Sequence, residues 1–283
     1  MILHHDDLVI QGPQVLREDI EILRLMTGAS GVEPLARASC EAFMLHEPEH
    51  RAGVAEACAA AGYDFAFVPC ERALGRVRLV AMDMDSTLIT IECIDEIAAL
   101  HGIGDEVAAI TASAMRGEID FRASLTRRVA LLEGMPVDAL ARVHDERLQL
   151  SPGVPRLFDA LRAIGAKTLL VSGGFTFFTE RLQSRLGIDY TLANVLDVED
   201  GRLTGRMRGD IVDADAKAVR FAELAAEYAA GGIGVAIGDG ANDLAMLARA
   251  DVSVAYRAKP RVRAQAMHAI DHCGLDAVLN LFA

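Results

Sequence analysis

The chain has 283 residues, of which 52% are hydrophobic, so it is long enough for one large domain with a real core and a smaller second domain. Its formal net charge of −13 at pH 7 argues against nucleic acid or an anionic membrane as a partner, because both attract basic surfaces. The five cysteines lack metal-site spacing, the N-terminus lacks a signal-peptide pattern, and no apolar stretch has membrane-spanning length, so we expect a cytoplasmic protein with free thiols.

The first 75 residues alternate short strand-like and helix-like segments in a βαββαβ order. This order is similar to the ACT or ferredoxin-like layout of a small α+β domain. The predicted segments, in chain order, are Leu8–Ile10, Leu16–Met26, Val32–Ser39, Ala42–His46, Arg51–Ala61 and Phe65–Val68. We expect residues 1–75 to form a regulatory or oligomerisation domain, and a homodimer is one assembly that it would support.

Residues 76–283 begin with an apolar run, Val77–Met82, which predicts a buried strand. Further strands are predicted at Thr168–Val171, Ile233–Ile237 and Val252–Ala255, and helices at Val154–Gly165, Phe175–Leu186, Ala216–Tyr228 and Asn242–Ala250. A β-hairpin is predicted at Asp197–Met207, with Asp200-Gly201 at its turn. This alternation of strands and helices predicts an α/β fold with a parallel sheet.

A helical insert of roughly residues 91–150 interrupts the alternation after the first strand of the larger unit. Its predicted helices are Asp95–His101, Glu106–Met115, Phe121–Leu132 and Pro136–Arg147. The insert is far longer than a βα crossover requires, so we expect it to have a role of its own.

Asp83 and Asp85 directly follow the Val77–Met82 strand and lie two residues apart, so their side chains project the same way. Such a pair can divide the work of phosphoryl transfer. One ionised carboxylate attacks phosphorus, and the other, holding a proton, serves the leaving oxygen. An acidic turn that closes a strand is the alternative interpretation of this DxD motif taken alone.

Two other predicted strands end in polar, glycine-rich turns. Ser172-Gly173-Gly174 follows one strand, and the stretch Gly238-Asp239-Gly240-Ala241-Asn242-Asp243 follows another. Because the carboxyl ends of parallel strands meet at one edge of the sheet, these turns are predicted to converge where ligands bind. Lys217 lies in an otherwise acidic and apolar helical stretch. Each feature alone also fits an ordinary loop or a solvated surface lysine.

The ordered motifs DxDST, SGG, Lys and GDGxND resemble the haloacid-dehalogenase superfamily of aspartate-nucleophile phosphatases over roughly residues 77–283. The resemblance implies a Rossmann-type parallel sheet with a small helical cap that can close over the site. It implies that Asp83 is the nucleophile of an aspartyl-phosphate mechanism and that Asp85 acts first as acid and then as base. Lys217 would neutralise the phosphate and Asp83 together.

The same resemblance implies Mg²⁺ as the cofactor, since an oxygen ligand set without nearby His or Cys suits this ion. Its protein ligands would be Asp83, the backbone carbonyl of Asp85, and Asp239, with Asp243 in a supporting position. Ser172 and the Gly173 amide would donate to phosphate oxygens at a helix N-terminus. Asn242 would orient the substrate or the attacking water.

Residues 83–97 and 121–129 further resemble the phosphoserine phosphatase branch of that superfamily. This implies that Glu92 binds the substrate ammonium, that Arg128 binds its carboxylate, and that Met115 and Phe121 line an apolar lid. A zwitterionic amino-acid head requires one anion and one planar, bidentate cation. Without the resemblance, Glu92 would be interpreted as a helix cap and Arg128 as one charge on a solvated helix face.

The resemblance implies Mg²⁺-dependent hydrolysis of O-phospho-L-serine to L-serine and phosphate, the last step of serine biosynthesis. Two alternatives stay open. One is a phosphatase or phosphotransferase that acts on another small phospho-metabolite. The other is a non-catalytic amino-acid-binding regulator, against which the second carboxylate, Asp85, argues because a binding module does not need it.

Overall fold

The N-terminal part of the chain forms a four-stranded antiparallel sheet with strand order β2-β3-β1-β4. The computed structural model describes residues 5–283. The elements of this part are β1 (Asp6–Gly12), α1 (Arg17–Thr27), β2 (Gly31–Leu35), β3 (Glu41–His46), α2 (Val54–Ala61) and β4 (Asp64–Pro69). Leu8 in the central strand β1 pairs with Leu45 on one side and Phe67 on the other. The predicted βαββαβ order of a ferredoxin-like layout is confirmed, although β2 ends at Leu35, earlier than predicted.

The rest of the chain forms a seven-stranded sheet flanked by helices. Its strands are β5 (Val77–Met82), β6 (Lys167–Phe175), β7 (Tyr190–Glu199), β8 (Arg202–Arg208), β9 (Ile233–Gly238), β10 (Val252–Tyr256) and β11 (His268–Ile270). The helices are α3 (Cys93–Leu100), α4 (Gly104–Met115), α5 (Phe121–Ala130), α6 (Asp138–Glu146), α7 (Val154–Ala163), α8 (Thr176–Leu186), α9 (Ala214–Tyr228), α10 (Leu244–Leu247) and α11 (Pro260–Arg263).

The strand order of the larger sheet is β11-β10-β9-β5-β6-β7-β8, and only the β7–β8 pair is antiparallel. Apolar side chains fill both faces of the central strands: Val80 and Met82 belong to one core, and Leu79 and Ala81 to the other. Strands buried on both faces are typical of an α/β sheet covered by helices. The predicted fold class, an α/β sheet with a helical insert, is confirmed. Helices α3–α6 form the insert, which we call the cap.

Several details of the larger unit differ from the sequence predictions; for example, the first strand of the predicted hairpin begins at Tyr190 and not at Asp197. β6 continues through Ser172-Gly173-Gly174 to Phe175, so this segment is an irregular strand end and not a turn before the helix. The helix predicted at Asn242–Ala250 divides into a 3₁₀ turn, Ala241–Asp243, and the short α10. β11 has only three residues, and its pattern is too short to stand out from the surrounding loop.

A seam of buried contacts joins the small sheet to the C-terminal segment of the chain, residues 268–283. The Asp64 carboxylate accepts hydrogen bonds of 2.8–3.2 Å from the backbone N–H groups of residues 271–273. Asp276, which is fully buried, accepts a 2.6 Å hydrogen bond from the Ser39 N–H. Val9 and Met44 of the small sheet belong to the same apolar core as the larger sheet. That residues 1–75 form a separate domain stays a prediction.

Among residues 5–283, no helix combines the length and the apolar character that crossing a lipid bilayer requires.

Candidate active site

A cavity of about 980 Å³ lies between the carboxyl edge of the larger sheet and the cap. Strand ends provide one wall, with Asp83 after β5, Ser172 in β6 and Asp239 after β9. The cap provides the opposite wall, which includes Phe121 and Arg128 of α5. The parallel sheet thus brings together the polar turns that the sequence places far apart, as predicted for the carboxyl edge.

Lys217 is a buried cation that lies behind the sheet-side wall, in contact with Asp83. Its side chain is fully buried, and its Nζ lies 2.8 Å from Asp83 Oδ1 and 2.8 Å from Asp243 Oδ1. Burial alone would lower the pKa of Lys217, but Asp243 and Asp83 outweigh it and hold the pKa above its ordinary value. The interpretation of Lys217 as a solvated surface lysine is wrong, because α9 directs it into the core.

Asp83 is held in one orientation. Its Oδ1 accepts hydrogen bonds from Lys217 and from the Met84 N–H at 2.8 Å, and its side chain is almost entirely buried. Burial raises the pKa of Asp83 well above its ordinary value, with the neighbouring Asp243 adding to the rise and Lys217 opposing it. A carboxylate fixed at a strand end and facing a cavity has the position that a nucleophile needs.

Three buried carboxylates form a cluster suited to a metal ion. One oxygen each of Asp83, Asp239 and Asp243 lie within 4.8 Å of one another. Burial, followed by repulsion from Asp243, raises the pKa of Asp239 to about 7. Lys217 supplies one positive charge against this cluster, so the oxygen donors and the uncompensated negative charge fit a divalent cation. Asp243 also binds the Gly240 N–H, which agrees with a supporting position.

Asp85 lies beside this cluster on the cap side. Its Oδ1 accepts a 3.2 Å hydrogen bond from the Cys93 N–H at the start of α3. Burial, together with the nearby Glu92 carboxylate, raises the pKa of Asp85 to about 7. A carboxyl group that titrates near neutral pH can release and recover a proton, as a general acid and base must.

The Ser172-Gly173-Gly174 segment brings backbone close to the carboxylates. A Cβ on Gly174 would lie 2.8 Å from Asp85 Oδ2, so a larger residue there would displace the Asp85 carboxylate. Ser172 is buried and its Oγ accepts a 2.8 Å hydrogen bond from the Gly174 N–H. Both Ser172 and Gly173 line the cavity, where they were predicted to meet a phosphate.

Glu92 and Arg128 both line the cavity on the cap side. Glu92 occupies the N-cap position of α3, but its side chain makes no capping hydrogen bond and instead accepts a 2.7 Å bond from Ser86 Oγ. The Nε of Arg128 is buried without a hydrogen-bond partner, whereas its neighbour Arg127 is exposed. The solvated-face interpretation therefore fits Arg127 and not Arg128. A buried, unpaired guanidinium nitrogen is costly unless a ligand satisfies it.

The remaining predicted site residues also line the cavity. Phe121 packs against the strand end, since a Cβ on Gly173 would lie 2.9 Å from its ring. Met115 is 65% exposed, and its sulfur lies 3.9 Å from Lys259 Nζ, so it forms part of the rim and not a closed apolar lid. Asn242 lines the cavity beside the acidic cluster.

Sequence reasoning missed two contributors to this site. Lys259 lines the cavity, and its charge opposes the rise in the pKa of Asp239. It follows β10 at the same sheet edge, a position that the predicted strand already indicated. Thr87 donates a 3.2 Å hydrogen bond to Asp239 Oδ1, and its place within the DxDST motif was the available signal.

Comparison with known proteins agrees with this geometry. Sequence models of haloacid dehalogenase-like hydrolases match residues 80–248 and 217–282. A phosphoserine phosphatase from a Polaromonas species is 54% identical over 217 residues, which cover 74% of this chain and 91% of that protein. The chain therefore belongs to the haloacid dehalogenase-like hydrolases and, within them, to the phosphoserine phosphatase family.

Two solved structures resemble the whole chain. A hydrolase of the same superfamily from Salmonella enterica serovar Typhi has a TM-score of 0.87 at 32% identity, with 98% of each chain covered. An unliganded probable phosphoserine phosphatase from Vibrio cholerae has a TM-score of 0.81 at 36% identity, with 97% of this chain and 85% of that chain covered. The similarity in fold thus includes the small N-terminal sheet.

Proposed function

We propose that this chain hydrolyses O-phospho-L-serine to L-serine and phosphate through an aspartyl-phosphate on Asp83. The observation that carries the proposal is the placement of Glu92 and Arg128 in the same cavity as Asp83, whose carboxylate contacts the buried Lys217. The cap side offers one carboxylate and one unsatisfied guanidinium nitrogen, and the sheet side offers a fixed carboxylate and a buried ammonium. An amino-acid head and a phosphate monoester on one small molecule match these two sides.

In the first half-reaction, an Asp83 oxygen attacks phosphorus, and the bond from phosphorus to the serine oxygen breaks. Asp85 gives its proton to that oxygen, so serine leaves as a neutral alcohol and Asp85 becomes a carboxylate. Lys217, Ser172 and the Gly173 amide compensate the charge on the phosphoryl oxygens throughout. Lys217 and Ser172 are already fixed by hydrogen-bonded contacts, so little reorganisation of these side chains accompanies the reaction.

In the second half-reaction, the Asp85 carboxylate takes a proton from water as the water oxygen attacks phosphorus. The phosphorus–oxygen bond to Asp83 breaks and inorganic phosphate is released. Asp85 is again protonated and Asp83 again ionised, so the residues return to their starting states. A pKa near 7 for Asp85 suits both directions of this proton transfer.

We further propose Mg²⁺ as the cofactor, held by Asp83, Asp239 and the Asp85 backbone carbonyl, with Asp243 behind them. The ion would supply Lewis-acid charge compensation between an anionic nucleophile and an anionic phosphate. The donor set supports this assignment, since the clustered side-chain donors are all carboxylates.

The proposal extends to the setting of the reaction. Release of free L-serine suits the last step of serine biosynthesis, and five free cysteines suit the reducing cytoplasm. For the N-terminal unit, residues 1–75, we propose a regulatory or oligomerisation role, with a homodimer as the assembly. Ile22 and Leu25 of α1 support this, because they are 59% and 66% exposed. Sedimentation equilibrium of the wild type and of Ile22→Glu tests the homodimer, which predicts a shift to monomer in the variant.

A substrate panel tests the proposed reaction. We expect phosphate release from O-phospho-L-serine to exceed that from O-phosphothreonine and from sugar phosphates. Arg128→Ala leaves the substrate carboxylate without its cation, and we expect a loss of about 30- to 1000-fold in kcat/KM for phosphoserine. Glu92→Gln should also lower kcat/KM for phosphoserine, because it removes the anion that binds the substrate ammonium. Arg127→Ala is the matched control, because it removes an exposed arginine from the same helix.

Hydrolysis of p-nitrophenyl phosphate, which has no amino-acid head, separates binding from cap structure. If Arg128→Ala and Glu92→Gln each lower kcat/KM equally for phosphoserine and for p-nitrophenyl phosphate, these two residues serve the cap structure and the substrate assignment fails. Faster turnover of a sugar phosphate would favour the alternative, a phosphatase for another phospho-metabolite. Transfer of phosphate to an added alcohol without free phosphate would identify a phosphotransferase.

A further inference from the structure

An ion pair connects the cap to the helix that carries Lys217. Arg122 is the second residue of α5, and its Nε donates a 2.7 Å hydrogen bond to Asp213 Oδ2. Asp213 is the N-cap residue of α9, and its other oxygen accepts a 3.0 Å hydrogen bond from the Ala216 N–H. The Asp213 carboxylate therefore both caps the N-terminus of α9 and binds the cap through Arg122.

The ion pair lies at the rim of the cavity, next to another contact between cap and sheet. Arg122 and Asp213 both line the cavity, and their side chains are 54% and 18% exposed. The neighbouring Phe121 ring packs over Gly173. The first turn of α5 thus contacts the sheet side at two points, one apolar and one ionic.

The ion pair lies close in sequence to residues from both halves of the proposed site. Arg128 lies on α5 less than two turns after Arg122, and Lys217 lies one turn after Asp213 on α9. Opening of the cap at Arg122 would separate the guanidinium of Arg128 from the ammonium of Lys217. A substrate that must contact both residues binds only to the fraction of molecules whose cap is closed, so its apparent affinity falls as that fraction falls.

We propose that the Arg122–Asp213 ion pair is a latch that favours the closed cap, so that both residues act as positioning residues for the reaction. The substrate part of this inference rests on the proposed function; the effect on cap opening does not. Because the pair is partly exposed, loss of the latch should change the closed fraction by roughly two- to fivefold. Salt should weaken the latch for the same reason.

Two single variants and their combination test the latch. Arg122→Gln removes the cation. Asp213→Asn removes the anion but keeps a good N-cap acceptor for α9. In each variant we expect KM for O-phosphoserine to rise roughly two- to fivefold, with a smaller change in kcat, and the double variant to be no worse than either. Raising NaCl from low to high concentration should raise KM of the wild type towards the variants, whose KM should change less.

Hydrogen exchange provides a readout that needs no substrate. Backbone amides of residues 119–130 should exchange faster in both variants than in the wild type. Arg127→Gln, which makes the same charge change at an exposed site on α5, should leave both KM and exchange unchanged.

Additive effects of the two substitutions, or unchanged exchange in residues 119–130, would overturn the latch. A salt response of KM that is as large in both variants as in the wild type would also overturn it. If the wild type fails to hydrolyse phosphoserine, the proposed function fails, and hydrogen exchange still decides the latch by itself.

Discussion

Buried carboxylates occur in two regions of this molecule, and the groups that surround them differ. At the seam between the small sheet and the C-terminal segment, Asp64 accepts hydrogen bonds from three backbone N–H groups, and Asp276 accepts from Ser39. At the cavity, Asp83 and Asp239 face other carboxylates, and burial raises their pKa values.

The difference lies in what satisfies the charge. Backbone N–H groups fix the seam carboxylates permanently, so those residues stabilise the contact between two parts of the chain. Asp83 and Asp243 share Lys217, and together with Asp239 they retain negative charge that a bound cation can compensate. Substitution should therefore affect stability at the seam and chemistry at the cavity.

The largest effect is expected from Asp83→Asn. The amide cannot attack phosphorus, so we expect turnover to fall by roughly 10³-fold or more, with no phosphorylated enzyme trapped by acid quench. The thermal unfolding midpoint should change little, because the substitution removes a buried, repelled charge. Residual turnover above a few per cent of wild type in a pure preparation would show that Asp83 is not the nucleophile.

Removal of divalent metal should lower turnover nearly as much as Asp83→Asn does. Exhaustive chelation should stop turnover, and added Mg²⁺ should restore it, whereas Ca²⁺ should bind but support turnover poorly because its coordination is larger and looser. Mg²⁺ at 100 times its Kd should also stabilise the fold by about 2.7 kcal/mol, measured by thermal unfolding. Asp239→Asn should reduce that stabilisation. Full activity after chelation would contradict the metal assignment.

Asp64→Asn tests the seam. The substitution turns an NH₂ group towards backbone donors, and we expect the free energy of unfolding to fall by about 3 to 5 kcal/mol. Urea denaturation measures this loss. The kcat of the folded fraction should remain close to wild type, since Asp64 lies outside the cavity lining. A loss of kcat without a loss of stability would remove the distinction between the two regions.

The smallest effect concerns His268, which lies in the seam, and the pH dependence of the free energy of unfolding. Burial, and then the charge of Arg72, lowers the pKa of His268 to about 4, and Arg72 Nη1 donates to His268 Nε2 at 2.7 Å. In the unfolded chain His268 takes up a proton near pH 6.5, whereas in the folded chain it stays neutral down to about pH 4. The contribution of neutral His268 to the free energy of unfolding is therefore fully present above pH 6.5 and is lost as the pH falls towards 4.

Between pH 7 and pH 5, this histidine should therefore reduce the free energy of unfolding by about 2 kcal/mol. His268→Gln should lose that part of the pH dependence, measured by urea denaturation at each pH. His50→Gln, at an exposed position, is the control and should keep it. If the free energy of unfolding depends on pH identically in the wild type and in His268→Gln, then His268 has the same pKa in the folded and the unfolded chain, and the prediction is wrong.

The sequence by itself determined the type and order of the main elements. Apolar runs such as Val77–Met82 are long enough to predict buried strands, and the 3.6-residue pattern between residues 91 and 150 predicts the cap helices. The motifs also determined which residues meet, because parallel strands direct their carboxyl ends to one edge. Asp83, Ser172 and Asp239 reach the same cavity for this reason.

Only the tertiary structure decided which polar residues are buried and what they contact. Local pattern could not distinguish Arg128 from Arg127 or show that Lys217 is fully buried, because burial depends on elements distant in sequence. Contacts across long separations, such as Arg122 with Asp213 and Asp64 with the backbone of residues 271–273, leave no local periodicity. They exist because folding brings the cap onto α9 and the small sheet onto the C-terminal segment, and packing at those interfaces selects which charge each buried group meets.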